Sequence, residues 1–351
     1  MNYFKIKNFQ FSKHNKPYII AEVSSNHKNK LSAVLKLISK IKKAGADAVK
    51  LQTYSEDTMT IDSKREEFKI KKGLWKNYTL YDLYKDAKTP LDWYKKIFAH
   101  CKKVGITCFS TPFNESAVDF LEKFKVPAYK VASFEIVDLP LISYIAKLDK
   151  PLIISTGMAN FKEILEAVNV VKKNKNKKLI ILHCLSNYPA KNKDYNLSII
   201  GDLKKKFKCH VGLSDHTVGE TAAIASVALG ASVFEKHIKL DDDNLSQDSS
   251  FSMKVSDFKN YCSKIHNTWE SIGTVNYEKK KEKDSRKHRR SIYITQDIKK
   301  NDKFTLENIK RIRPANGAHP KYFPKIIGKK AAKNLSKETP MKLSFIKNFN
   351  S

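Results

Sequence analysis

The chain is 351 residues long and 41% hydrophobic, enough for one large packed domain and a small one beside it. No window approaches the roughly 18 consecutive apolar residues of a membrane span, and Met1–Ile6 lacks the apolar stretch of a secretory signal, so a cytoplasmic protein with no membrane partner is expected. The net charge of +31 comes from 61 Lys against 6 Arg; Arg is the residue that reads bases and phosphates bidentately, so no nucleic-acid partner is expected, while a basic field would draw anionic substrates.

Residues 1–17 carry two alternating stretches, Tyr3–Ile6 and Phe9–Phe11, which predict a small hairpin closing a barrel floor. Eight short apolar runs follow: Tyr18–Glu22, Ala46–Gln52, Gly105–Thr111, Ala128–Ser133, Pro151–Thr156, Leu179–Ser186, His210–His216 and Ala231–His237. Amphipathic stretches of helical period, such as Leu31–Ala44 and Phe161–Lys173, lie between most of them. Strands alternating with helices predict a parallel sheet covered by helices, and eight such units in about 250 residues predict an α/β fold closed as a (β/α)8 TIM barrel over residues 18–275. A long insertion, Tyr54–Pro90, follows the second strand at an end where insertions usually shape a site. The last barrel helix, Ser256–Ile272, leads to a charged linker at 276–290. Residues 291–351 then read as a small β-rich domain, with a strand at Ser291–Thr295 and a helical turn at Thr305–Ile309 opened by Thr305. The five cysteines are odd in number and widely spaced, which reads as reduced core residues rather than a disulfide frame.

In such a barrel the C-terminal strand ends form the mouth, and here they are polar. His216 and His237 end the seventh and eighth strands, so two neighbouring imidazoles form a candidate divalent-metal site with open positions, suited to manganese or another borderline ion. A single strand-end histidine would read as a structural hydrogen-bonder; the pairing changes that. His14, His100, His266 and His288 fall outside the strand ends and read as surface or linker residues, and His183 as packing within the sixth strand. Lys50 and Lys130 sit inside apolar strands, where an ammonium demands an anionic partner. With the hydroxyls of Thr111, Ser133, Ser155 and Ser214 they describe a phosphate-plus-carboxylate pocket, against which a Schiff-base lysine is the competing reading. Glu22 reads either as a lysine's partner or as a base that orients water or a sugar hydroxyl. A basic polysaccharide- or nucleic-acid-binding protein on an inactive barrel is the alternative of another class.

These residues resemble, in order, the motifs of the sialic acid synthase family: Ile20-Ala21-Glu22, Lys50-Leu51-Gln52, Ser110-Thr111-Pro112-Phe113, Tyr129-Lys130-Val131-Ala132-Ser133, Ile154-Ser155-Thr156-Gly157-Met158, Tyr188-Pro189, Gly212–Thr217 and Glu235-Lys236-His237. Arg311-Ile312-Arg313-Pro314 and Ile327-Gly328-Lys329 resemble the antifreeze-like (SAF) domain which that family carries. The resemblance implies condensation of phosphoenolpyruvate with an acetamido sugar, with Glu22, His216 and His237 catalytic. It places Lys50, Thr111, Lys130, Ser133, Ser155, Ser186 and Ser214 on phosphoenolpyruvate, and Gln52, Tyr188, Asp248 and Arg313 on the sugar. The metal would be manganese, with magnesium or cobalt as alternatives. It also implies a homodimer with exchanged small domains, Arg313 reaching the partner's mouth. Gly73-Leu74-Trp75, Thr79–Pro90, Ser133–Leu141 and Asp248–Ser252 resemble the branch whose acceptor is 2,4-diacetamido-2,4,6-trideoxy-L-altrose; acceptors of N-acetylneuraminate and legionaminic acid synthesis are the alternatives.

Overall fold

The computed structural model describes residues 3–12 and 15–349; His14 lies outside them. Two compact units form, Met1–Gly273 and Thr274–Ser351. In the first, an antiparallel hairpin of β1 (Phe4–Ile6) and β2 (Phe9–Phe11) precedes eight parallel strands. These are β3 (Tyr18–Glu22), β4 (Ala48–Thr53), β5 (Thr107–Pro112), β6 (Tyr129–Val131), β7 (Leu152–Ser155), β8 (Leu179–Cys184), β9 (His210–Asp215) and β10 (Val233–Lys239). Each pairs with the next, and β10 pairs with both β9 and β3, which closes the barrel. A two-residue strand, β11 (Met253–Lys254), extends the end of β10.

The expected strands all form, with shifted ends. Gly105 does not open a strand: like Gly45 it adopts a left-handed φ (+72° and +105° respectively) and caps the preceding helix, so β5 and β4 each begin two residues later than the apolar runs suggest. The helices are α1 (Leu31–Ala44), α2 (Glu56–Met59), α3 (Leu80–Ala87), α4 (Tyr94–Val104), α5 (Glu115–Glu122), α6 (Leu139–Ala146), α7 (Phe161–Lys173), α8 (Ser198–Phe207), α9 (Thr221–Ala228) and α10 (Val255–Ile272). Helices α2 and α3 lie within the insertion, so that segment has structure of its own.

Alternation along the strands divides the apolar residues between two cores. Ile19, Ala21, Val49, Leu51, Tyr129, Ile154, Ile181, Leu213 and Phe234 face outward and pack under the helices. Tyr18, Ile20, Ala48, Phe109, Ala128, Ile153, Ile180, Leu182 and Val233 form the inner cluster, together with Phe4, Ile6 and Phe11 of the hairpin. The hairpin therefore does close the floor. Continuing the same inner rows toward the C-terminal ends gives Glu22, Lys50, Thr111, Lys130, Ser155, Ser214 and Glu235.

The second unit packs Ile292, Ile294, Ile298, Phe304, Ile309 and Ile326 around an antiparallel pair, β12 (Ser291–Ile294) and β13 (Ile309–Ile312). The expected helical turn at Thr305–Ile309 forms as a single turn: Ile309 N–H donates to the Thr305 carbonyl at 3.2 Å, the Thr305 hydroxyl accepts from Glu307 and Asn308 N–H, and β13 starts at once. The expected linker at 276–290 holds two short helical turns, Lys280–Glu282 and Lys283–Arg286.

Phe11 is the anchor of the floor, stacked on Phe4 at 5.0 Å and tilted against Tyr18 at 5.3 Å. Phe11→Ala should lower the unfolding free energy of the barrel by about 3–5 kcal/mol, measured by urea denaturation. A loss below about 1 kcal/mol would mean that the hairpin only rests on the floor.

Candidate active site

The inner rows end in a buried chain of alternating charge. Glu22 on β3 pairs with Lys50 on β4, its register partner. Lys50 lies 3.6 Å from Glu235 on β10, and Glu235 lies 4.0 Å from Lys130 on β6. All four are at most 4% exposed. Isolated, each charge would cost several kcal/mol; alternation lets every charge face an opposite one. Lys50 also donates to Thr111 Oγ1 at 3.1 Å, Lys130 to the Val131 carbonyl at 2.9 Å, and Ser24 N–H to Glu22 Oε1 at 2.8 Å.

Environment separates these groups. Burial pushes Glu22 up to about 7 against the pull of Lys50. Burial opposes the Lys50 charge too, but Glu22 and Glu235 outweigh it and hold that ammonium above its ordinary value. For Lys130 burial wins over Glu235 and lowers it. Glu235 is held low despite burial, because Lys130 and Lys50 both face it. Lys50 is thus the firm cation, and Lys130 the one most in need of a further anion.

Beside this chain lies a group of donors without acceptors. The buried hydroxyls of Ser155 and Ser186 have no protein partner. Ser133 Oγ accepts Gly157 N–H at 3.1 Å, and a Cβ at Gly157 would overlap the Ser186 hydroxyl and come within 2.8 Å of Ser133 Oγ. Only glycine lets these hydroxyls close on the backbone there. Ser214 is used differently from the others: its hydroxyl donates to Glu235 at 3.1 Å.

His216 and His237 have ring centroids 5.3 Å apart. His216 Nδ1 lies 2.7 Å from the Leu185 carbonyl, which can only accept, so Nδ1 carries a proton and Nε2 is the nitrogen that would ligate in the neutral ring. Burial opposes the charge of this ring, but Cys184 and the Leu185 carbonyl outweigh it and hold His216 above its ordinary value. His237 Nδ1 is buried and unpartnered, 3.9 Å from Asp248 Oδ2. Burial and the neighbouring His216 keep His237 well below the ordinary histidine range, so it is neutral, the form that ligates. No group of three His, Cys, Asp or Glu converges on one point among the described residues. The residues fit a divalent ion bound by two nitrogens, with its other positions left to water and substrate.

Around the histidines stands an aromatic wall. Tyr188 lies 4.4 Å from His216 and 4.9 Å from Phe251, and Trp75 of the insertion lies 6.1 Å from Tyr188. The Trp75 indole donates to the Gln247 carbonyl at 3.1 Å, and the Gln247 amide to Tyr78 at 3.0 Å, which fastens the insertion to the loop after β10. A cleft of about 430 Å³ opens between Lys72–Trp75 and Ser186–Lys191. Asp248 is fixed by reciprocal bonds with Ser25. Gln52 is half-buried on the inner face of β4.

The site residues expected within the barrel gather at this mouth; Arg313 belongs to the second unit, where it is exposed just after β13. Sequence reasoning gave no role to Glu235, whose signal was its place two residues before His237 on the same face. Glu135 was likewise missed: it is a half-buried carboxyl pushed up to about 7 by burial, with Lys130 pulling the other way. His183 is not a ligand candidate, since its Nε2 meets the Tyr195 carbonyl at 2.6 Å.

Comparison with known proteins gives a consistent picture. Residues 37–277 match the NeuB family model and residues 289–347 the SAF domain model. A pseudaminic acid synthase of Campylobacter jejuni is 44% identical over 94% of this chain and 96% of its own length. The pseudaminic acid synthase of Helicobacter pylori is 39% identical over 93% and 96%. The crystal structure of an N-acetylneuraminic acid synthetase from Leptospira borgpetersenii, solved with citrate, superposes with a TM-score of 0.73 at 28% identity, covering 81% of this chain and 95% of that one.

The charge chain makes a prediction of its own. Glu235→Gln leaves two buried ammoniums without their shared carboxylate and should cost about 3–5 kcal/mol in denaturant unfolding. Adding Lys130→Met should recover part of that loss. A double variant as unstable as the sum of the singles would show that the two residues are not coupled.

Proposed function

Because the chain belongs to the NeuB family, we propose that it condenses phosphoenolpyruvate with 2,4-diacetamido-2,4,6-trideoxy-L-altrose and water to give pseudaminic acid and phosphate. The observation that carries this reading is the pair of strand-buried lysines beside unpartnered serine hydroxyls, next to two strand-end histidines. Phosphoenolpyruvate has two anionic ends, and the mouth offers two buried ammoniums with donors for both.

Lys50, Lys130 and Thr111, with the hydroxyls of Ser133, Ser155 and Ser186, would hold its phosphate and carboxylate, and Ser214 would act by fixing Glu235. Carbon 3 of phosphoenolpyruvate attacks the C1 aldehyde of the open-chain sugar. Water adds at C2, and the tetrahedral centre loses phosphate by C–O cleavage, which leaves the 2-keto acid. Glu22, held near 7 by burial, is poised to take or give a proton at that water or at a sugar hydroxyl. A divalent ion on His216 and His237, manganese first among the candidates, would supply Lewis acidity toward the aldehyde oxygen. Gln52, Tyr188 and Asp248 would contact the sugar.

The aromatic wall favours an acceptor with a C6 methyl and acetamido methyls over one with a 6-hydroxyl, which needs a hydrogen-bonding partner in the same place. Arg313 is exposed on its own unit, and in a homodimer it would meet the sugar at the partner's mouth. Arg313→Ala should then raise the sugar KM, and a monomer in sedimentation equilibrium would remove that part of the proposal.

The reaction is tested by phosphate release from phosphoenolpyruvate with a panel of acetamido sugars. The expected outcome is turnover that EDTA abolishes and manganese restores, with kcat/KM highest for the altrose sugar. An equal or higher kcat/KM for N-acetylmannosamine would reject the acceptor and keep the reaction. Full activity in EDTA would reject the metal. Silence with every sugar, with salt-sensitive nucleic-acid binding, would reject the enzyme.

A further inference from the structure

Strand β9 carries Ser214 and ends at Asp215, so the barrel ladder stops just before His216. The last pairs are Cys184 with Ser214 on one side and Asp215 with Lys236 on the other. There the His216 carbonyl accepts the Ala190 N–H and its ring Nδ1 meets the Leu185 carbonyl, but its own N–H has lost its ladder partner. One side chain fills that gap. The Tyr195 hydroxyl donates to the Ser214 carbonyl at 2.6 Å and accepts the His216 N–H at 3.2 Å. In a parallel ladder, the residue opposite Asp215 would make the same pair of bonds, giving its N–H to Ser214 and receiving that of His216. A phenol thus stands in for one residue of missing strand.

Tyr195 is itself held from several sides. It is fully buried, its carbonyl meets His183 Nε2 at 2.6 Å, and the His183 ring lies edge-on to its own at 5.7 Å. The loop that carries it is also tied to β9 by the bond from Ala190 N–H to the His216 carbonyl at 2.9 Å. The same loop carries Ser186 and Tyr188. The hydroxyl therefore couples the loop that faces the substrates to the strand end that carries a catalytic histidine.

We propose that Tyr195 is a positioning residue of this active site, whose hydroxyl sets the backbone, and so the ring, of His216 by completing the β9 ladder. The kinetic part rests on the proposed reaction; the contact itself does not.

Tyr195→Phe keeps the ring and removes only the bridging oxygen. Loss of such an orienting partner should lower kcat about ten- to a hundredfold while the KM for phosphoenolpyruvate stays within about twofold. Ile200→Val, a core truncation on neighbouring α8 that leaves the Tyr195 hydroxyl in place, is the control for lost stability and should keep its kcat. An unchanged kcat in Y195F, or an equal loss in I200V, overturns the proposal. Hydrogen exchange on the unsubstituted protein tests the contact without turnover and without relying on a variant to fold. The His216 amide should be protected like those inside β9, and exchange at the rate of an open loop overturns the proposal as well.

Discussion

Two ammonium groups and two carboxylates share the interior of one barrel, and the rest of the site depends on how they alternate. Lys50 stands between Glu22 and Glu235, and Glu235 between Lys50 and Lys130. Charges this deep survive only when each faces its opposite with hydrogen bonds to fill the remaining positions. The sheet sets the start of the alternation, since Glu22 and Lys50 are register partners and β3 lies between β4 and β10 in the closed barrel. The set is not saturated, because the Ser155 and Ser186 hydroxyls still lack partners. Such a cluster suits an anionic ligand that brings acceptors to the hydroxyls and further charge to Lys130.

That arrangement needs a rigid wall beneath it. The inner rows start apolar and are plugged by Phe4, Ile6 and Phe11, so the charged layer rests on a packed floor. Above it, the insertion is fastened through Trp75, Gln247 and Tyr78, and Tyr188 and Phe251 flank the histidines. The charged layer therefore meets aromatic rings beside the histidines, which displace water there and strengthen the charges next to them.

Much of this was legible in the sequence for a simple reason. Each strand's inner row changes from apolar to polar near its C-terminal end, as in Tyr18, Ile20, Glu22 or Val233, Glu235, His237, so a polar residue closing an apolar run marks the mouth. Glu235 escaped notice because Glu235-Lys236-His237 reads as a polar strand end whose weight falls on the histidine. Strand alternation separates the faces, and the structure shows the result: Lys236 points outward and pairs with Asp215 at 2.9 Å, while Glu235 points in. Strand starts were misjudged where a capping glycine adjoined an apolar run, because the run does not record that the chain turns left-handed at Gly45 and Gly105. Tyr195 carried no signal at all. Its part depends on a hydroxyl reaching a strand about twenty residues further on, and no local pattern encodes that.

The central claim is that the buried charge chain is the anion site of a phosphoenolpyruvate-dependent enzyme. Calorimetric titration of phosphoenolpyruvate into the unsubstituted protein and into the charge-balanced double variant K130M/E235Q tests it most directly. The account predicts a folded double variant that binds about ten- to a hundredfold more weakly, the equivalent of one charge-assisted hydrogen bond. Equal affinity in the two proteins would contradict it.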